Sequence, residues 1–325
     1  MFFHRRQTER HLQEACSQPA AEAHLCQGYA SAVVTAQDGL TLHVRRYGSR
    51  HASAHPVVCL PGLARTAADF HPLATALAND PANPRLVLAL DYRGHGQSQY
   101  DRNANNYTIR VALADLSTVL AAFQITSAIF VGTSFGGVLA MILAVLPPAA
   151  VAGVILNDIG PVMELRGLMR IKSHVGKLPI ARNFEEGAGI LRWLFEAQFT
   201  NLAPQDWVAF AQRTWREGHG TLVPSHDPKL ARALRGFSLE HLPTLWDQFD
   251  ALARIPLMVI RGANSDMLAR PTLNKMLERR GQLEVIVVPD QGHAPLLAEP
   301  EVIRRITAFV TSCEEPNQST PLLRD

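Results

Sequence analysis

The chain has 325 residues, of which 47% are hydrophobic and 18% are charged, and its formal net charge is +2. This length allows one large domain or about two smaller ones, and the composition is typical of a soluble globular protein. Because the charge is nearly balanced and Lys and Arg are scattered, we expect neither a nucleic-acid interface nor a polybasic membrane patch.

The four cysteines have no zinc-type spacing, and Cys59 lies in an apolar run typical of a buried strand. The first residues lack the apolar core of a signal peptide, and no uncharged run approaches the ~20 residues that span a bilayer. We therefore expect a reduced, cytoplasmic protein with no membrane segment.

Residues 1–28 are polar and are interpreted as an N-terminal extension. A hairpin is predicted next, with strands at 32–35 and 40–44 around a turn at 37–39. Apolar runs then predict buried strands at 56–60, 85–90, 128–131, 151–156, 256–260 and 285–288. Helices are predicted to start near Thr66 and to cover about 108–123, 271–280 and 299–311. This alternation predicts a mainly parallel, doubly wound sheet.

Residues 132–136, Gly-Thr-Ser-Phe-Gly, join the strand at 128–131 to an apolar run that extends to Leu146. This pattern predicts a strand, a sharp turn and a helix, with Ser134 at the apex. Glycine is needed at 132 and 136 because a side chain at either position would collide with a neighbouring strand or helix. The start of the helix offers unpaired backbone N–H groups to a developing negative charge.

Between about 162 and 250 the sequence contains no buried-strand run. Aromatic residues at helical spacing predict helices there, and Asp227 is expected to cap a further helix. Most of the aromatic side chains are expected to pack between helices. The sequence thus predicts a core formed by 29–161 and 251–325, with a helical layer at 162–250.

Three motifs together resemble those of the α/β-hydrolase fold family, over nearly all of residues 30–312. They are the serine turn, the segment Asp-Tyr-Arg-Gly-His-Gly-Gln-Ser at 91–98, and Gln-Gly-His at 291–293. They occur in the order of that family and after the corresponding strands. The resemblance implies a sheet of about eight strands, with a helical cap inserted after the sixth.

The resemblance implies a Ser-His-acid triad with Ser134 as the nucleophile and His293 as its base. Asp266, after the next-to-last strand, is the predicted acid. Asp158 is the alternative, because some relatives carry the acid one strand earlier. His95 competes with His293 for the role of base, but the corresponding stretch shapes a turn in relatives, so we expect a structural role.

The backbone N–H groups of Leu63 and Phe135 are the implied oxyanion hole, and no cofactor or metal is expected. The implied function is hydrolysis of a carboxylic ester or lactone through an acyl-enzyme, on an apolar or aromatic small molecule. One alternative is carbon–carbon bond hydrolysis of ring-cleavage products; residues 60–63, Leu-Pro-Gly-Leu, and Thr133 count against it. Another is a slow-turnover small-molecule receptor of the same fold. The sequence carries no signal of the oligomeric state.

Overall fold

A computed structural model describes residues 28–146, 151–218, 220–232 and 243–314. The predicted N-terminal extension therefore lies outside the described residues, except for Gly28. The strands are β1 (Ala30–Thr35), β2 (Thr41–Tyr47), β3 (Val57–Leu60), β4 (Val87–Asp91), β5 (Ala128–Thr133), β6 (Val151–Asn157), β7 (Trp215–Gly218), β8 (Thr221–Pro224), β9 (Leu257–Gly262) and β10 (Glu284–Val288). The α-helices are α1 (His71–Ala78), α2 (Ile109–Ala122), α3 (Phe135–Leu143), α4 (Leu165–His174), α5 (Phe184–Phe195), α6 (Pro204–Thr214), α7 (Trp246–Ala251), α8 (Arg270–Arg279) and α9 (Pro300–Ser312).

Eight of these strands form one mixed sheet, in the order β1-β2-β4-β3-β5-β6-β9-β10. Strand β2 pairs antiparallel with β1 and β4, and the other neighbours pair in parallel. The predicted hairpin is present, and Gly39 adopts a φ of 85° at its turn. The predicted mainly parallel sheet of about eight strands is confirmed, and residues 162–250 follow the sixth strand, β6.

The central strands are apolar on both faces because helices cover both faces of the sheet. Successive residues of β3 illustrate this. Val58 and Leu60 pack in one buried cluster, and Val57 and Cys59 pack in the cluster on the opposite face. The alternation follows from the two-residue repeat of a strand. A continuous hydrophobic run is thus divided between two cores, one on each face of the sheet.

Residues 162–250, called the inserted segment below, carry α4, α5, α6, the β7–β8 hairpin and α7. The segment has an aromatic core of its own, which includes Phe199, Trp207 and Phe210. This agrees with the expectation that most of its aromatic side chains pack between helices. Trp193 is an exception, because its side chain is largely exposed.

The β7–β8 hairpin departs from the prediction of an entirely helical segment. Trp215 belongs to the predicted aromatic stripe, yet it begins β7, where it is buried and its Nε1 donates to the carbonyl of Pro179 at 2.9 Å. Strands of four residues are too short for periodicity to distinguish them from helix. The helix predicted at Asp227 is a 3₁₀ helix over Pro228–Arg232, and residues 233–242 are outside the described part of the chain.

Candidate active site

Ser134 lies at the sharp turn between β5 and α3, with φ at 51° and ψ at −113°. A Cβ atom at Gly132 would come within 2.5 Å of the backbone of Gly136. A Cβ atom at Gly136 would in turn collide with the carbonyl of Leu60, at the end of β3. Both glycines are therefore required by close backbone approach, as predicted, and the strained backbone projects the Ser134 side chain above the sheet.

His293 follows β10 and contacts Ser134 directly. Its Nε2 lies 2.9 Å from the Ser134 Oγ, and its Nδ1 lies 2.9 Å from a carboxylate oxygen of Asp158. A carboxylate only accepts, so Nδ1 carries the hydrogen and Nε2 is left to accept from the serine hydroxyl. Both His293 and Asp158 are nearly inaccessible to solvent. The structure therefore assembles a buried hydrogen-bonded chain from Ser134 to Asp158.

Asp158 directly follows β6 and is held by three donors. Besides the imidazole, it accepts from the backbone N–H of Gly262 at 2.8 Å and from the hydroxyl of Ser265 at 2.5 Å. These bonds compensate for the burial of the charge, because hydrogen bonds to a carboxylate stabilise its ionised form. Asp158 is thus held in place to fix the tautomer of His293.

Asp266 does not occupy the position predicted for it. Both of its carboxylate oxygens accept from Arg170 of α4, each at 2.7 Å. Burial alone would raise the pKa of Asp266, but the hydrogen bonds and charge of Arg170 outweigh burial and hold the pKa below its usual value. The predicted contact between Asp266 and His293 is therefore wrong, and the alternative acid, Asp158, makes it.

The two predicted oxyanion-hole donors lie beside Ser134. Phe135 is the first residue of α3, so its N–H belongs to the unpaired helix start. Leu63 lies in the loop after β3 and lines the same cavities as Ser134. The assignment of these two N–H groups to the oxyanion hole stays a prediction.

His95 orders the loop that carries Leu63. Its Nε2 accepts from the backbone N–H of Ala64 at 3.1 Å, and its Nδ1 donates to the carbonyl of Arg93 at 2.9 Å. Burial lowers the pKa of His95, which favours the neutral ring that this pairing requires. The structural role expected for His95 agrees with these contacts.

Two further polar residues position the loop of His293, and the sequence analysis did not identify either. The side-chain oxygen of Gln198, in the inserted segment, accepts from the His293 N–H at 2.9 Å. The amide of Asn157 donates to Thr133 at 3.0 Å and to the Pro295 carbonyl at 2.9 Å. Asn157 ends β6 and could have been noticed there, but no local signal marks Gln198.

Two cavities meet at Ser134. The smaller, about 120 Å³, is bordered by His293 and is lined mainly by apolar side chains, together with Arg170, Arg213 and Thr214 of the inserted segment. The larger, about 570 Å³, is bordered by Phe135 and is also mainly apolar, with Arg110, Lys172 and Arg232 among its lining residues. Its apolar lining includes Val138, Ile142, Ile159, Met163, Leu168 and Met267. A substrate bound at Ser134 can therefore extend in two directions.

Within the described ranges, no helix is long and apolar enough to cross a membrane. The same ranges contain no cluster of three or more His, Cys, Asp or Glu side chains arranged to hold a metal ion.

The sequence model of the alpha/beta hydrolase family matches residues 57–306, which include all the residues of the site described above. The chain belongs to this family. A crystal structure of an α/β-hydrolase from Novosphingobium aromaticivorans is 37% identical, with a TM-score of 0.81, and the match covers 87% of this chain and 98% of that one.

Among curated relatives of this hydrolase, the 3-hydroxybutyrate-oligomer hydrolase of Cupriavidus necator is 33% identical over 281 residues, covering 83% of this chain and 94% of that protein. The 2-(acetamidomethylene)succinate hydrolase of Mesorhizobium japonicum is 26% identical over 274 residues, covering 83% of this chain and 92% of that protein. Both similarities extend along most of each chain rather than being confined to the serine motif.

Proposed function

We propose that this protein is a serine hydrolase of carboxylic esters, with Ser134 as nucleophile, His293 as general base and acid, and Asp158 as the orienting carboxylate. The observation that carries the proposal is the hydrogen-bonded chain from the Ser134 Oγ through both nitrogens of His293 to Asp158. A serine hydroxyl is a weak nucleophile unless an adjacent base takes its proton. This geometry supplies that base.

In the first half of the reaction, His293 Nε2 takes the proton as Ser134 Oγ attacks the ester carbonyl carbon. Asp158 stabilises the imidazolium, and the N–H groups of Leu63 and Phe135 donate to the oxyanion. The carbon–oxygen bond to the alcohol then breaks, and His293 gives its proton to the departing oxygen. An acyl group remains on Ser134.

In the second half, His293 takes a proton from water, which attacks the acyl carbon. Collapse of the second tetrahedral intermediate returns the proton to Ser134 and releases the carboxylic acid. Every step uses the chain's own residues and water. A lactone is an internal ester and would follow the same sequence, with the alcohol remaining part of the product.

Two observations support an ester as the substrate. The relative from Cupriavidus necator, whose name describes hydrolysis of 3-hydroxybutyrate oligomers, is similar over most of both chains. The larger cavity offers an apolar surface next to Phe135 that suits the acyl part of an ester. We propose short oligomeric esters of hydroxy acids as the first physiological candidates, and the inserted segment as the cap that encloses them.

The test is turnover of p-nitrophenyl esters with acyl chains of increasing length by the wild-type protein and by Ser134→Ala. We expect multiple turnovers by the wild type, a preferred chain length, and loss of turnover in the variant. Stoichiometric acylation without turnover would favour the receptor alternative. Failure on all oxygen esters, with cleavage of a ring-cleavage diketone, would favour the carbon–carbon hydrolase instead.

A further inference from the structure

The smaller cavity is bordered by an arginine whose Nε has no hydrogen-bond partner in the described part of the chain. Arg213, near the end of α6, lines this cavity together with Ser134. Its Nε is buried and has no hydrogen-bond partner within the described residues. Asp69 is the only described carboxylate within 4.0 Å of its guanidinium, at 3.6 Å. A buried donor without a partner costs free energy, so such a group is expected to have a ligand.

Asp69 cannot neutralise both Arg213 and Arg65, because one carboxylate carries only one negative charge. Arg65 donates to the two oxygens of Asp69 at 2.7 and 2.5 Å, and its third bond goes to the Thr214 hydroxyl at 2.7 Å. Arg65 and Arg213 thus share one carboxylate. The pair presents an excess positive charge at the wall of the cavity.

The other charged groups around the cavity do not cancel this excess. Arg170 is neutralised by Asp266. Asp158 lies behind the imidazole of His293, where three donors satisfy it. Burial lowers the pKa of Arg213, and the charges of Asp69, Asp206 and Glu299 oppose this shift only in part. Asp206 and Glu299 form no ion pair with Arg213.

Two histidines that line the same cavity are neutral at physiological pH. Burial, with the charge of Arg170, lowers the pKa of His174 to about 4. Burial, with a smaller effect of His95, lowers the pKa of His226 to about 3. Neither ring adds a charge, so a bound anion would meet an arginine that shares its carboxylate with Arg65. The site is of low polarity, where a charge-assisted hydrogen bond is strong.

The position of His293 indicates which part of an ester enters this cavity. The imidazole must reach the departing alcohol oxygen to protonate it. His293 borders the smaller cavity, and Phe135 borders the larger one. The alcohol part therefore extends toward Arg213, and the acyl part lies in the larger cavity.

We propose that Arg213 binds a carboxylate on the leaving alcohol, so that the preferred substrates are esters of a hydroxycarboxylic acid whose own carboxylate is free. This inference rests on the proposed ester hydrolysis. Hydrolysis of such a substrate transfers the acyl group to Ser134 and releases the hydroxy acid with the proton from His293. Water then releases the acyl group as a second acid. Cleavage of an oligomer would accordingly start from its carboxyl end.

A matched pair of substrates tests the proposal: 3-(butyryloxy)butyrate as the free acid and as its methyl ester at the carboxyl group. Release of butyrate from each is measured by chromatography for the wild type and Arg213→Gln. We expect the variant to lose about 10- to 100-fold in kcat/KM on the free acid, mainly through KM, as for a lost charge-assisted hydrogen bond. On the methyl ester it should stay within about threefold of the wild type.

Three controls separate the possible failures. Arg192→Gln removes an exposed arginine of α5 and should leave both substrates unaffected. Arg213→Lys keeps the charge and should recover part of the preference for the acid. Arg213→Gln should still fold, because Asp69 keeps its two bonds to Arg65, and a p-nitrophenyl butyrate assay checks that its Ser134 is active.

Equal losses on acid and methyl ester, or none on either, would overturn the role of Arg213. Mono-p-nitrophenyl glutarate carries its carboxylate on the acyl side. If Arg213→Gln lost kcat/KM selectively on this ester, the assignment of the two cavities would be overturned. If the wild type hydrolysed none of these esters, the proposed function itself would be wrong. That outcome is distinct from the other two.

Discussion

Arg170 and Asp266 form a two-point ion pair that joins the inserted segment to the edge of the sheet, with both nitrogen–oxygen distances at 2.7 Å. Helix α4 packs tightly on this loop, since a Cβ atom at Gly167 would lie 2.7 Å from the Asp266 carbonyl. Asp158 follows the adjacent strand and contacts His293 instead. Two carboxylates from neighbouring strands thus have separate tasks, one at the imidazole and one at the inserted segment.

The division of tasks predicts opposite results for two matched substitutions. Asp158→Asn should lower kcat by about 10⁴, because an amide in place of the carboxylate favours the wrong tautomer of the imidazole. Asp266→Asn should leave kcat within about tenfold of the wild type, because Asp266 makes no hydrogen bond to the imidazole. Steady-state kinetics on one p-nitrophenyl ester compares them. A larger loss from Asp266→Asn than from Asp158→Asn would contradict the assignment of the acid.

Asp266→Asn should instead lower the free energy of unfolding, by an amount that depends on pH. The folded-state pKa of Asp266 lies below the ordinary value of 3.8, so its ionised form is favoured by the fold. The contribution of ionised Asp266 to the free energy of unfolding is fully present above the ordinary pKa. It is lost as the pH falls through the lowered pKa of the folded state. Near neutral pH, we expect the variant to be about 1–3 kcal/mol less stable.

Urea unfolding of the wild type and Asp266→Asn between pH 3 and pH 7 measures this difference in the free energy of unfolding. The difference should shrink toward the acid end of the series. Arg170→Met provides the control, because it removes the same ion pair from the other side. A difference that grows on acidification would show that the ion pair does not stabilise the fold.

His95→Leu should slow catalysis without a matching loss of substrate binding. The substitution removes the acceptor for the Ala64 N–H and frees the loop that carries Leu63. Since loss of one oxyanion donor costs about 10²–10³ in kcat, we expect a fall of at least about tenfold in kcat with little change in KM. His95→Gln retains an acceptor and should recover part of the rate; an unchanged kcat in His95→Leu would exclude this positioning role.

Gln198→Leu should disturb the loop of His293, although Gln198 lies 95 residues earlier in the chain. It leaves the His293 N–H without its acceptor, a loss of about 1–3 kcal/mol for a buried donor. We expect lower thermal stability and a kcat reduced by about tenfold. Gln198→Glu keeps an acceptor oxygen and is the matched variant, and equal effects of the two substitutions would argue against a role for this hydrogen bond.

Ser134 and His293 could be predicted as site residues from the sequence because each belongs to a local motif that follows a recognisable strand. The choice between Asp158 and Asp266 could not be made in the same way. Strands β6 and β9 are parallel neighbours, so residues after either one reach the same edge of the sheet. Which carboxylate turns toward the imidazole depends on Arg170, 96 residues before Asp266 in the chain.

The helices and buried strands of the core were predicted to within a few residues because long apolar runs and helical spacing are strong local signals. The β7–β8 hairpin was missed, since four-residue strands carry little periodicity. Gln198 and Arg213 were missed because their importance arises from what surrounds them in the folded chain. Neither Gln198 nor Arg213 belongs to a recognisable sequence motif.

The most direct test of the central claim is intact-mass analysis after reaction with a fluorophosphonate, on the wild type and on Ser134→Ala. The account predicts one adduct per wild-type chain, located by peptide mapping at Ser134, and no adduct on the variant. An unlabelled wild-type protein, or an adduct that persists in Ser134→Ala, would contradict the claim that Ser134 is the activated nucleophile.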